Sequence, residues 1–199
     1  MSVEVMPVEK VRRAPVERAR RAFNVSEYYR LGEIGVLKED DRVELIEGDI
    51  FEMSPIGKRH AACVLKISTH LSRRIGDSAL VSVQNPVRLD DLSEPVPDVA
   101  VLRPRADFYA EAHPTPEDVL LVIEVSDTTV RFDRNKKVPL YARAGVPEAW
   151  LVNLSKNEVE VYSRPEDGVY QQVRRVRRGG RLRSSLFPSL ALSADDVLP

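Results

Sequence analysis

The sequence predicts a mixed α/β (α+β) fold, with a central sheet, helices on its faces and additional β-hairpins. Three observations predict it. The run VLLVIEV at 119–125 is almost purely apolar, which suits a central strand buried on both faces. The segment 58–75 carries Ala61, Val64, Leu65, Ser68, Leu71 and Ile75 at helical spacing, and Gly76 stands where a C-terminal cap belongs. The element order is helix, hairpin, helix, strands, helix, strands. It lacks the steady βαβα alternation of a doubly wound parallel sheet.

Residues 1–23 alternate apolar and charged side chains, and Arg12, Arg13, Arg18, Arg20 and Arg21 make them basic. They read as an N-terminal arm. It is either a frayed or helical exposed segment, or an arm that touches phosphates or a partner subunit. Residues 24–199 read as one domain, in keeping with a 199-residue chain. Asn24 or Ser26 can cap a helix over 25–36 that ends near Gly35. RVELIEGDIFEMSP reads as a hairpin, with strands 42–47 and 49–54 around a Gly48-Asp49 turn. Alternation puts Val43, Leu45 and Glu47 on one face and Arg42, Glu44 and Ile46 on the other.

Strands are expected at 79–89, 97–102 and 119–125, then a helix over 133–143 with Asp133 as its cap and Gly145 as its terminator. Pro139 removes a hydrogen bond from that helix, so the helix kinks or begins later. EAWLVNL, EVEVYSR and VYQQVRRV give three more strands, with turns at Asn157 and Gly168. The apolar tail 186–199 is expected to pack on the domain as a short helix.

The chain is 43% hydrophobic, enough for a substantial core, and 30 Lys+Arg against 31 Asp+Glu leave a net charge of -1. That balance argues against coating nucleic acid by bulk charge; binding would need a local basic patch facing a local acidic site. A single cysteine, Cys63, excludes an intrachain disulfide and favours a reducing compartment. No apolar run approaches the roughly 18 residues that span a membrane. The N-terminus also lacks the apolar core of a secretory signal. The expected location is cytoplasmic.

Acidic residues in apolar surroundings are the first candidates for chemistry. Glu124 closes VLLVIE, and Asp98 follows Pro97 in PVPDVAVLR. A carboxylate at the end of a buried strand is costly unless it is paired, hydrogen-bonded or bound to metal. Two bare carboxylates about 4 Å apart repel by about 4 kcal/mol at an effective dielectric of 20. A divalent cation relieves that repulsion, and Mg²⁺ takes one or two carboxylates with water and phosphate. Spacing alone leaves a second reading open, in which Asp98 caps a turn and Glu124 pairs with an arginine. His60, His70 and His113 are scattered, and no Cys/His cluster has zinc spacing.

Lys137 lies thirteen residues after Glu124 (137 − 124 = 13). From the following helix it could reach both carboxylates and orient an attacking water, or it is a surface lysine of RFDRNKK. Glu44 in RVELIEGD is a further carboxylate candidate, and otherwise a solvated hairpin residue. His60 could contact a phosphate or a metal-bound water, and otherwise is a polar helix-start residue.

RVELIEGDIFEMSP, His60, EPVPDVAVL and LLVIEVSDTTVRFDRNKKVPLYARAGVPEAWLVNL together resemble the PD-(D/E)xK nuclease superfamily. More narrowly, they resemble the Uma family of restriction endonucleases, over roughly residues 25–198. The resemblance implies a restriction-endonuclease-like mixed sheet flanked by helices. It implies hydrolysis of DNA phosphodiesters with Mg²⁺ or Mn²⁺ held by Asp98, Glu124 and the Val125 backbone carbonyl. Glu44 would bind a second metal or a metal-bound water.

The sequence departs from the superfamily pattern at Ser126, where the tripeptide lysine would stand. Lys137 takes over that role, with Lys136 adjacent and Tyr141 on the same helix face as an auxiliary. The alternative is a catalytically inactive nuclease-fold module that binds nucleic acid or protein. Arg174, Arg175, Arg177, Arg178, Arg181 and Arg183 surround a Gly179-Gly180 turn. Arg175 and Arg177 share one face as candidate DNA contacts, or the segment is an edge hairpin shielded by charge. A homodimer is expected, through the apolar tail or the first helix.

Overall fold

The structure is a computed structural model that describes residues 20–38, 40–187 and 192–199. Helix α1 (Val25–Glu33) is started by Asn24 and Glu27, whose side chains each bond the other's backbone N–H. The hairpin β1 (Val43–Ile46) and β2 (Asp49–Glu52) follows, then α2 (Lys58–Ile75), closed at Gly76 as expected. Six strands form the central sheet: β3 (Leu80–Val83), β4 (Val99–Leu102), β5 (Val119–Ser126), β6 (Glu148–Asn153), β7 (Glu158–Glu166) and β8 (Val169–Arg177). They hydrogen-bond in that order. β5 and β6 run parallel, and the other neighbours are antiparallel. The β5–β6 crossover contains α3 (Val130–Phe132), a π-turn at Asp133–Lys137 and α4 (Val138–Arg143). A short pair, β9 (Arg181–Leu182) with β10 (Leu192–Ser193), precedes α5 (Ala194–Val197).

Strand alternation sorts the core into two layers. Val99, Val101, Leu121, Ile123, Val125, Trp150 and Val152 meet Cys63, Val64, Ile67, Leu71 and Ile75 of α2. Ala100, Leu102, Val122, Ala149 and Leu151 meet Val138, Leu140 and Tyr141 of α4. β5 is therefore buried on both faces, as its composition requires. The same alternation points Glu124 toward α4.

Several expectations need correction. In α2, Ala61 and Leu65 are exposed, while Cys63 and Ile67 complete the buried stripe at spacing four. The hairpin turns at Glu47-Gly48, both at positive φ, so Asp49 pairs with Ile46 instead of lying in the turn. Only glycine fits at position 48, because a Cβ there would collide with Ala22. The strand expected over 79–89 stops at Val83. Gln84 turns to positive φ, and Val87 and Leu89 reach the core from a loop. Of the basic arm, residues 1–19 lie outside the described residues; Arg20 pairs with Asp49 and Arg21 with Glu27. The tail forms its short helix, and Leu192, Val197 and Leu198 are spent in the core of the chain itself.

Glu148 is fully buried where β6 begins, and sequence reading passed over it. Its carboxylate accepts from Trp150 Nε1 at 2.6 Å and from the Ser185 N–H and Oγ at 2.9 Å. It thereby fastens the segment after β9 to the sheet. Replacing it leaves buried donors unmatched, so Glu148→Leu is expected to lower urea-unfolding stability by about 2–3 kcal/mol.

Candidate active site

The register of β4 on β5 builds the site. Val99 pairs with Ile123, so Asp98 and Glu124 stand one step further along, directly across from each other. Cβ atoms of opposed antiparallel residues lie about 4.5–5.5 Å apart. The Val125 N–H donates to Asp98 Oδ2 at 2.9 Å, and Gln84 Nε2 donates to Oδ1 at 3.2 Å. His60, in the first turn of α2, places Nε2 3.0 Å from Asp98 Oδ2.

The third side is the π-turn. The Val138 N–H bonds the Asp133 carbonyl, five residues back. This slip of register falls immediately before Pro139, which has no N–H and would crowd the carbonyl four residues back in an α-helix. The expected helix is thus continuous but widened, and Asp133 is not its cap. The widened turn delivers Lys137 to the cluster, with Nζ 2.8 Å from Glu124 Oε1 and 3.0 Å from Glu44 Oε2. Glu44 Oε2 also accepts from the Val96 N–H at 3.0 Å. Tyr141, one turn beyond Lys137, donates its hydroxyl to Glu124 Oε1 at 2.6 Å.

Glu44, Asp98, Glu124 and Lys137 therefore converge, and none is more than 8% exposed. Sequence reasoning missed a fourth buried carboxylate. Asp133 accepts from Ser126 Oγ at 2.5 Å and Thr129 Oγ1 at 2.8 Å. Ser126, two residues after Glu124, thus ties the end of β5 to the turn that carries Lys137. Lys136 is engaged elsewhere: with Arg143 it pairs to Glu47 of the hairpin turn.

Burial pushes Glu124 up to about 8, against the pull of the Lys137 ammonium. Burial also raises Asp133, which its hydroxyl donors and Lys137 only partly offset. Burial would lower Lys137, but Glu124, Glu44 and Asp133 outweigh it and hold the ammonium well above its ordinary value. Asp98 goes the other way. Its burial is overcome by His60, the Val125 N–H and Lys137, so it stays below its usual range. The Asp98 hydrogen bond in turn raises His60.

The cluster floors a cleft of about 320 Å³, walled by Phe51, Met53, Pro55, Ile56 and Phe132. Among the described residues, no three His, Cys, Asp or Glu side chains gather into one metal-binding group. A hard cation with water and phosphate in its shell needs fewer protein ligands than that. The donor set suits one. Glu44 and Glu124 bond the buried Lys137 ammonium, and the buried carboxylates of Asp98 and Asp133 line the same cleft, so the carboxylate donors are hard oxygens. Arg175 and Arg177 are not brought to the cleft. They lie on β8, three strands from β5, paired across the strands with Glu160 and Glu158.

Residues 25–195 match the family model Uma2, described as "Putative restriction endonuclease". None of the curated proteins matches the chain. Among solved structures, the chain is similar to a "putative nuclease belonging to DUF820" from Anabaena variabilis ATCC 29413. The TM-score is 0.64 at 20% identity, over 84% of this chain and 96% of that one. At that identity the likeness is one of fold.

Proposed function

The chain belongs to the Uma2 family, and from that premise we propose that it is a metal-dependent endonuclease hydrolysing DNA phosphodiester bonds at the Asp98–Glu124 cleft. The observation that carries this reading is the convergence of Glu44, Asp98, Glu124 and Lys137 on one recessed point. Asp98 and Glu124 would hold Mg²⁺ or Mn²⁺, with the Val125 carbonyl beside them. When bound, the ion supplies Lewis acidity toward the phosphoryl oxygen and acidifies water.

The remaining steps belong to side chains. The Lys137 ammonium orients the attacking water and stabilises charge growing on the phosphate. Glu44 holds that ammonium from its far side. Tyr141 fixes the Glu124 carboxylate by its hydroxyl, and His60 fixes Asp98. The first turn of α2 has no side-chain cap and no acidic residue. Its open N–H groups favour an anion at the cleft. Arg175 and Arg177 would meet the DNA backbone away from the cleft, in which case binding weakens steeply with added salt. Pairing of two copies would fall to α1 and the residue that ends it, Ile34, which is 64% exposed. No helix among the described residues is long and apolar enough to cross a membrane.

The test is cleavage of plasmid and oligonucleotide DNA with Mg²⁺, with Mn²⁺ and with EDTA. Asp98→Ala is expected to cost roughly 10²–10³-fold in rate. Mn²⁺ should also stabilise wild type, by about 2.7 kcal/mol at a hundred times Kd, seen as a higher melting temperature. Undiminished cleavage by the variant would refute the site. Neither cleavage nor a metal-dependent shift in wild type would leave a nuclease-fold module that only binds.

A further inference from the structure

The π-turn is anchored to the sheet on both sides of one leucine. Glu124 on β5, Leu151 on β6 and Glu160 on β7 are register partners and form one row across three strands. Leu151 shares its core layer with Val138, Leu140 and Tyr141, so the row faces the crossover. Lys137 holds one end of the row, with Nζ 2.8 Å from Glu124 Oε1. Arg134 holds the other. Its Nη2 and Nε donate to the two oxygens of Glu160, at 2.8 and 3.0 Å, as a fork. The outer strands of such a row lie roughly 9–10 Å apart, yet both cations come from one turn, three residues apart. In an α-helix such residues point only about 60° from each other. The wider turn opens that angle and lets the two side chains straddle Leu151.

The Glu160 side chain is 1% exposed. The attraction within a buried ion pair often fails to offset its desolvation, so stability alone gives little reason to keep one. What the pair fixes is geometry. Glu160 is itself held still, by the Tyr162 hydroxyl on Oε2 and by Arg175 Nε 3.4 Å from Oε1. Arg134 is not among the residues that line the cleft. It can act on the reaction only through the turn that carries Lys137.

We propose that Arg134, clamped on Glu160, is a positioning residue that sets the phase of the π-turn and so aims the Lys137 ammonium at Glu124. Its effect on cleavage rests on the phosphodiesterase reading; its effect on where Lys137 lies does not. Arg134→Gln leaves Glu160 with Tyr162 and Arg175, and Glu160→Gln keeps the shape of the carboxylate while weakening the fork.

The experiment measures both variants with Mn²⁺ and DNA. Each is expected to lower kcat by roughly 10- to 100-fold, the effect of a shift of about 1 Å in a reacting group. KM and the metal-dependent rise in melting temperature should not change, because Asp98, Glu124 and the cleft walls are intact. Glu148→Leu, which weakens the fold away from the cleft, should keep its kcat. In a Lys137→Met background, Arg134→Gln should cost less than about 2-fold more, since residues that act through one another are not additive. An equal loss in both backgrounds overturns the proposal, as does full kcat in both clamp variants or the same loss in Glu148→Leu. If wild type cleaves no DNA, the phosphodiesterase reading fails. Acetylation of lysines by acetic anhydride, mapped by mass spectrometry, then decides the clamp separately. Lys137 should be protected in wild type and in Glu148→Leu, and should react at least about 10-fold faster in the two clamp variants, as expected for a locally loosened turn. Lys137 that stays protected in both clamp variants overturns the proposal.

Discussion

Lys137→Met is expected to lower metal-dependent cleavage by roughly 10²–10³-fold. It should also destabilise the metal-free protein by about 3–5 kcal/mol at pH 8. The two losses have one cause. The Lys137 ammonium lies 2.8 Å from Glu124 and 3.0 Å from Glu44, and all three side chains are buried. Removing it leaves two carboxylates with no cation and little water. At pH 5 the destabilisation should shrink, because the carboxylates can take up protons. Bound Mn²⁺ should restore part of it by supplying the missing charge. Lys136→Met is the matched control. Its partner is Glu47 at the surface of the hairpin turn, so its loss should cost less than about 1 kcal/mol. Urea unfolding at the two pH values, with EDTA and with Mn²⁺, separates these outcomes. A Lys136 variant that behaves as the Lys137 variant does would reverse the assignment.

That assignment marks where the sequence stopped being readable. Asp98 and Glu124 stood out as carboxylates bordering apolar runs, but spacing alone left a salt-bridge reading open, and only the family resemblance singled them out as a pair. Their direct opposition followed only from the register Val99–Ile123, which local pattern does not encode. The preference for Lys137 over Lys136 came from the family resemblance, because local pattern does not separate two adjacent lysines. Adjacent helix residues point about a hundred degrees apart, so the outcome depends on helix phase, and the π-turn changes that phase. Pro139 was the visible sign of irregularity, but it announces a defect without saying whether the helix kinks, starts late or widens.

Asp133 was misread for a related reason. An aspartate before a helical run is ordinarily a cap, and only the approach of Ser126 and Thr129 shows it to be an internal acceptor. Arg175 and Arg177 were correctly set on one face. Their distance from the cleft depends on sheet order, which emerges only when β6, β7 and β8 stack outward from β5.

Glu124→Gln is expected to act in opposite directions on activity and stability. Glu44 and Glu124 share the buried Lys137 ammonium, and Glu124, at 4% exposure, is the least exposed of the four buried carboxylates that line the cleft. Burial lifts it from 4.5 to about 8. A folded value above the unfolded one means that the folded state favours the protonated form. The stability this contributes is complete below about pH 4.5 and is lost as pH rises through about 8. Asp133, raised by burial, and His60, raised by Asp98, slope the same way over this range. Metal-free wild type should therefore lose stability between pH 5 and pH 8, by an amount on the order of a few kcal/mol.

Glu124→Gln removes the largest part of that loss. At pH 8 in EDTA the variant should be more stable than wild type, with a flatter dependence on pH. It should also lose the metal-dependent rise in melting temperature, and cleavage should fall by roughly 10²–10³-fold. Wild type that is equally stable at pH 5 and pH 8 in EDTA would contradict this account, as would a variant less stable than wild type at pH 8.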